Sequence, residues 1–182
     1  MYIPSLWLYI ATDALPSFAF LLPENFARFL TLVCMVLSIF ALVQLSHRNE
    51  RFGLALKYTF IMYGLLALTF LAPFIFVYWL GGLVRMVGLL AISVFGLMVR
   101  YNTLNGFADM AEDAQDFNHV SRLRRFFSIF IVTTVIEVIL SYIPSPNFPL
   151  TSISTGIKVL MTIYKLVLCY KSIKLERTLK NT

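Results

Sequence analysis

The chain has 182 residues, of which 59% are hydrophobic and only 13% are charged, with a formal net charge of +6 and a mean hydropathy of +0.82. A soluble domain carries about 25% charged residues, so this composition excludes a water-soluble fold and favours a chain solvated by lipid. The basic excess lies at the ends of apolar stretches, which is typical of membrane orientation and contact with lipid headgroups, not of nucleic-acid binding.

The first apolar segment, residues 3–22, is long enough to span a bilayer core of about 30 Å, but it contains Asp13 and Pro16. We expect it to cross the membrane. A broken or re-entrant helix is the alternative, because both residues disfavour a regular span. Two clearer spans follow, at 26–46 and 54–80, and Gly81–Gly82 predicts the turn after the second of them.

The next predicted span is 83–100. Apolar residues then recur at spacings of three and four, at Leu104, Phe107, Ala111, Ala114 and Phe117. This periodicity predicts that the helix continues into water and returns near Asn118, so that residues 101–125 form a helical hairpin. Spans 126–143 and 153–170 complete an all-α transmembrane bundle. Residues 1–182 are thus predicted to form one integral membrane domain with five or six spans and a cytoplasmic helical extension.

Basic residues are unequally divided between the two sides of such a bundle. If the 47–57 loop, the 100–125 segment and the C-terminus share a side, that side holds 11 of the 15 Lys and Arg residues. The opposite side holds only Arg28, Arg85 and Lys158. The positive-inside rule makes the richer side cytoplasmic and predicts a plasma-membrane protein with a cytoplasmic C-terminus.

Four charged side chains lie inside predicted spans and more than one helical turn from either end: Asp13, Glu137, Lys158 and Lys165. A charge at the centre of a membrane helix costs about 2.5–3.5 kcal/mol on insertion scales, so such residues usually face the bundle interior or a cavity. Glu137 and Lys158 lie at matching depths, about 8–9 Å from the same surface, on neighbouring helices. We predict that these two form an ion pair and that Asp13 pairs with Arg85, Lys158 or Lys165. All four are candidates for binding a substrate or ion.

The predicted hairpin carries an acidic group followed by a basic group: Asp109, Glu112, Asp113 and Asp116, then Arg122, Arg124 and Arg125. These charges either support one another on a solvated helical face or form a docking surface for a cytoplasmic partner. Metal binding by Glu112, Asp116 and His119 is geometrically allowed, but their spacing matches no metal signature, so we expect no metal.

Motifs for catalysis and cofactor binding are not recognisable in the sequence. Both histidines, His47 and His119, fall in predicted loops, which disfavours a transmembrane haem. We therefore expect a protein without catalytic activity or cofactor. It would be an accessory or substrate-binding subunit of a membrane transport complex, in contact with lipids and a protein partner. The alternative is a self-contained, homo-oligomeric channel or transporter around Glu137 and Asp13; a lipid-modifying enzyme would need a catalytic set that we do not find.

Overall fold

The described secondary structure is entirely helical. The computed structural model describes the backbone of residues 2–75, 78–141 and 149–181, and the side chains of these ranges except at 2, 73, 75, 78–80, 137–141, 149–154, 180 and 181. These ranges form six α-helices and one 3-10 helix. They are α1 (Tyr2–Ala14), the 3-10 helix (Leu15–Leu21), α2 (Glu24–Ser46), α3 (Glu50–Ile75), α4 (Tyr78–Asp113), α5 (Phe117–Ser141) and α6 (Pro149–Asn181).

Three described helices are long and apolar enough to cross a membrane. They lie at Glu24–Ser46, Glu50–Ala72 and Gly81–Asp113, and the most apolar 18 residues of each have mean hydropathies of 2.4, 1.7 and 2.1. Many of their large apolar side chains are exposed, as expected where the surrounding solvent is hydrocarbon. The all-α architecture and the helices that are long and apolar enough to span a membrane therefore agree with the prediction from the sequence.

The first apolar segment is a broken helix, and its crossing of the membrane stays a prediction. The α-helix ends at Ala14, and the chain continues as a 3-10 helix that has Pro16 in its first turn. Proline at this point lacks the N–H that an α-helix would direct to the carbonyl of Thr12. The Thr12 hydroxyl lies 2.9 Å from the Leu8 carbonyl oxygen and 3.0 Å from that of Tyr9, so it is satisfied within α1.

The boundary between α3 and α4 differs from the prediction. α3 continues through Pro73 and ends at Ile75, and α4 already begins at Tyr78. The predicted turn at Gly81–Gly82 is therefore wrong, because both glycines lie in the first turns of α4. Membrane helices tolerate glycine, so the two glycines do not end the helix.

The continuous helix predicted beyond residue 100 is present as far as Asp113. The turn after it is not near Asn118 but at Ala114–Asp116, where Gln115 has a φ of 57°. Asp116 explains this boundary, because its Oδ1 accepts a hydrogen bond of 3.0 Å from the His119 N–H. That geometry is a helix N-cap, so α5 begins directly after Asp116.

The helices α1, α2, α3, α4 and α6 pack in a ring, and α5 packs against two of them. α1 packs against α2 and α6, α2 against α3, α3 against α4, and α4 against both α5 and α6, while α5 also contacts α6. One end of this bundle carries the α2–α3 turn, the α4–α5 turn and the C-terminal half of α6; we call it the basic end. The main buried cluster lies there, and it includes Leu6, Leu45, Phe52, Phe107, Leu123 and Ile173.

Candidate functional site

A cavity of about 600 Å³ lies between the helices on the side of the buried cluster that faces away from the basic end. Its walls come from single faces of α4, α5 and α6, from the junction of α1 with the 3-10 helix, and from Met62 on α3. Pockets that bind small molecules have volumes of about 300–1,000 Å³, so this cavity has the size of a ligand site.

The wall formed by α6 is a polar stripe. Thr155, Lys158, Thr162 and Lys165 follow one another at spacings of three and four, which places them on one helix face. The Thr162 hydroxyl lies 2.9 Å from the Lys158 carbonyl oxygen and 3.0 Å from the Ser17 hydroxyl. The second contact joins α6 to the 3-10 helix across the edge of the cavity.

The floor of the cavity is an ion pair between α1 and α6. The Lys165 Nζ lies 2.6 Å from the Asp13 Oδ2, and the two side chains are 15% and 28% exposed. Lys165 is one of the three partners proposed for Asp13 from the sequence. The antiparallel packing of α1 on α6 selects it, because the Trp7 and Tyr170 rings meet 5.6 Å apart further toward the basic end.

Arg100, predicted as the last residue of span 83–100 and counted with the cytoplasmic basic residues, reaches the same cavity from α4. The helix extends 13 residues beyond it, or about 20 Å, to Asp113. Its guanidinium carbon lies 4.4 Å from the centre of the Phe130 ring on α5. Among the residues that the structure describes, no carboxylate lies within 4.0 Å of this guanidinium.

Hydroxyl groups and apolar side chains make up most of the remaining described lining. The hydroxyls belong to Ser17, Ser93, Thr133, Thr134, Thr155 and Thr162, and the apolar part includes Phe20, Ile92, Leu97, Phe126, Phe130 and Met161. The charged groups of the described lining are three basic residues and one acidic residue. The cavity is therefore amphipathic, with a basic bias toward its floor.

Comparison of the chain with protein-family models, with curated proteins and with solved structures gives no match.

Two of the four intramembrane candidates from the sequence meet directly, and a third lines the same cavity. Asp13 and Lys165 form the floor, and Lys158 lies two turns away from Lys165 on the same stripe of α6. The side chain of Glu137 lies outside the described residues, so its pairing with Lys158 stays a prediction.

The charged groups of the α4–α5 hairpin mainly hold it against its neighbours. Asp109 accepts a hydrogen bond of 3.1 Å from the Asn49 side chain and lies 4.0 Å from Arg51 Nε. Glu112 lies 4.0 Å from Arg124 across the turn. Three other docking candidates, Asp113, Arg122 and Arg125, are exposed, and their role in binding a partner stays a prediction.

Asp116 links α5 to α6 as well as capping α5. Its Oδ2 lies 2.7 Å from the Lys171 Nζ. The Lys171 ammonium, together with the His119 N–H, holds the pKa of the Asp116 carboxyl below its usual value. The carboxylate is therefore charged at neutral pH and has two specific partners.

His119 is not in a loop as predicted but in the first turn of α5, fully buried against α6. Its Nε2 lies 3.0 Å from the Leu168 carbonyl oxygen and 3.0 Å from the Ser172 hydroxyl. Burial, with help from the nearby Lys171 charge, lowers the pKa of His119, so its imidazole is neutral at pH 7. In the described part of the chain, no three His, Cys, Asp or Glu side chains are grouped to hold a metal.

Proposed function

We propose that this chain is a non-catalytic, substrate-binding subunit of a membrane transport complex and that the cavity is its binding site. The observation that supports this proposal is the cavity of about 600 Å³, with polar groups converging on it from five elements. Convergent polar groups in an otherwise apolar pocket of this size are typical of small-molecule sites.

The membrane topology completes the proposal. α2, α3 and α4 cross the bilayer, α5 and α6 add two spans, and the broken first segment adds a sixth. The basic end is cytoplasmic by the positive-inside rule, so residues 101–125 form a cytoplasmic extension and the C-terminus is inside the cell. The plasma membrane is the proposed location. In this orientation the cavity faces the outside, and substrate enters from there.

The packing of the basic end favours a binding protein over an open channel. On the side of the Asp13–Lys165 pair that faces the basic end, the described side chains are buried; they include Tyr9, Ile10 and Cys169. An ion crossing the bundle would have to displace this packed layer. Transport would therefore need either a conformational change or a partner subunit, which is the reason for proposing a complex.

Accessibility of single cysteines tests the cavity. In a background where the buried Cys34 and Cys169 are replaced by alanine, we expect Ser93→Cys and Thr134→Cys to react with a membrane-impermeant thiol reagent in intact cells. Reaction requires a thiolate, which forms in water and not in hydrocarbon.

Two control variants distinguish the cavity from other environments. Val36→Cys replaces an exposed apolar residue of a candidate span, and Leu42→Cys replaces a fully buried one, so neither should react. If Ser93→Cys is as unreactive as Val36→Cys, the outward, water-filled cavity is wrong.

Co-purification in mild detergent tests the proposed complex. A partner in fixed stoichiometry is the expected result. A homo-oligomer without any partner would instead support the self-contained channel or transporter.

A further inference from the structure

We infer that the natural ligand of the cavity is an organic anion whose charged head pairs with Arg100. This inference rests on the proposed function, because it assigns a chemical class to the substrate of the same site. The observation that carries it is a difference between two cations at the floor: Lys165 has a carboxylate partner at 2.6 Å, whereas no described carboxylate lies within 4.0 Å of the exposed Arg100, on which Asp13 acts only at longer range.

Placing a charged side chain within a helical bundle in lipid costs free energy. Such charges are normally paired or directed to a watery cavity, and they commonly mark substrate pathways. Asp13 brings one negative charge against the two positive charges of Lys165 and Arg100 and acts on both, so the floor as a whole keeps one positive charge. An anionic ligand would neutralise that charge.

The geometry of Arg100 suits recognition of a carboxylate or phosphate. A guanidinium presents parallel N–H donors that match two oxygens of such a group, which a lysine ammonium does not. The Phe130 ring, 4.4 Å from the guanidinium carbon, restricts the plane of the fork through a cation–π contact. The hydroxyls of Thr133 and Thr134, one turn further along α5, donate to the Phe130 carbonyl oxygen at 2.9 and 2.8 Å, and their oxygens are left to accept a hydrogen bond from a polar group on the body of the ligand.

The size and apolar lining of the cavity indicate a ligand with an organic body. A volume of about 600 Å³ greatly exceeds what a halide or inorganic phosphate would fill. Ile92 and Leu97 on α4 and Met161 on α6 provide apolar surface beside the basic floor. The head could come from a soluble carboxylate or from an anionic lipid, since both present the same chemistry.

Binding of a matched pair of probes tests the inference. We would use equilibrium dialysis of the full chain, in nanodiscs of phosphatidylcholine, with 2-naphthoate and its neutral analogue 2-naphthamide. We expect naphthoate to bind about tenfold or more tightly than naphthamide, because only the anion gains the charge-assisted hydrogen bonds. Arg100→Gln should reduce naphthoate affinity to the level of naphthamide and leave naphthamide binding unchanged, whereas Arg100→Lys should be intermediate.

The control variant is Arg85→Gln. It makes the same charge change on the same helix, and Arg85 is not part of the described cavity lining. Its affinity for naphthoate should equal that of the wild type. Nanodiscs that contain phosphatidylglycerol separate the two sources of the ligand. Loss of naphthoate binding there supports an anionic lipid head as the natural ligand, and unchanged binding supports a soluble anion.

Three results would overturn the inference. Equal affinity of the wild type for the two probes, or an Arg100→Gln variant that keeps full naphthoate affinity, would reject the anion and leave the binding function standing. Binding of neither probe by the wild type would reject both proposals. The comparison of the two probes uses only the wild-type protein, so it decides the question even where Arg100→Gln does not fold.

Discussion

His119 joins the start of α5 to α6 as a neutral, buried side chain, and this gives the protein a specific pH dependence. The unfolded state would titrate near the ordinary histidine pKa of about 6.5, whereas burial lowers the pKa of His119 in the folded state. Below the unfolded value the unfolded chain therefore binds more protons, and the folded state loses stability as pH falls. The charged groups around His119 are Lys171, Asp116 and Arg122.

We predict that the thermal midpoint of the protein in detergent falls between about pH 7.5 and about pH 5, and that His119→Gln largely removes this dependence. Asp116 does not interfere in this window. Its pKa is lowered on folding, so its contribution is lost only as pH falls through values below about 3.9. His47→Gln, at an exposed histidine, is the control. Equal midpoints of the wild type at the two pH values would contradict the prediction.

The Asp13–Lys165 pair yields a second prediction at the residue scale. Removing one partner of a buried ion pair costs about 3–5 kcal/mol, and the partial exposure of this pair places the expected loss at or below the lower value. Asp13→Asn and Lys165→Met should each destabilise the protein in chemical unfolding, and the double variant should recover part of the loss.

The exposed pair Glu24–Arg28 is a matched control for this cycle. It joins residues four positions apart on α2, and its side chains are 76% and 74% exposed. Glu24→Gln should cost only about 0.5 kcal/mol or less. Strict additivity of the two cavity substitutions would show that Asp13 and Lys165 do not interact.

At the scale of elements, the contact between α3 and α4 at the basic end depends on Gly106. The Phe52 ring lies edge-on to Phe107, with ring centres 5.7 Å apart, and its edge lies against the Gly106 backbone. A Cβ at position 106 would lie 2.8 Å from two atoms of the fully buried Phe52 ring. This ring has little space to move, since the surrounding core residues are also buried.

We predict that Gly106→Ala destabilises the protein although alanine is the better helix former. Overpacking costs about 1–3 kcal/mol, whereas the gain in helix propensity is only about 1 kcal/mol. Gly64→Ala is the control, because nothing lies within 4 Å of a Cβ there, and it should be neutral or slightly stabilising. If the two substitutions changed the free energy of unfolding equally, the close approach of Phe52 to Gly106 would not affect stability.

Hydropathy and periodicity predict the helices of this fold better than their boundaries. The apolar runs of α2, α3 and α4 appear directly in the sequence, and the spacing from Leu104 onward predicts the long end of α4. The turn predicted at Gly81–Gly82 is wrong, since both glycines lie inside α4 and membrane helices tolerate glycine. The α4–α5 turn was misplaced because the Asp116 cap outweighs the apolar spacing around it.

The cavity was only partly predictable. The cost of an intramembrane carboxylate singles out Asp13, but the choice of Lys165 depends on the register of α1 on α6, which is set by long-range packing. Arg100 was missed because a charge that follows an apolar run resembles a membrane flank. Its signal was the polar stripe Ser93–Gly96–Arg100, which repeats at helical spacing within the apolar run. Similarly, Thr155, Lys158, Thr162 and Lys165 form a stripe on α6.

At the scale of the whole molecule, the contacts at the two ends of α2 indicate at which end of the bundle the first segment begins and at which end it finishes. Ser5 hydrogen-bonds to Gln44 near the end of α2, which places the start of α1 at the basic end. Glu24 begins α2, and the 23 residues of that helix extend about 35 Å. α1 and the 3-10 helix together reach about 34 Å, enough to cross a bilayer core of about 30 Å.

We therefore predict that the first segment crosses the membrane, giving six spans with both termini in the cytoplasm. With both native cysteines replaced by alanine, cysteines at Asn49 and Asn118 should be protected from an impermeant thiol reagent in intact cells and react after permeabilisation. A cysteine at the exposed Glu24 should react in intact cells, and an N-terminal epitope tag should be reached by antibody only after permeabilisation. Labelling of Asn118→Cys from outside would invert the topology. An N-terminal tag that is accessible in intact cells, with Asn118→Cys still protected, would instead show that the first segment does not cross, because Glu24 and the N-terminus would then share a side.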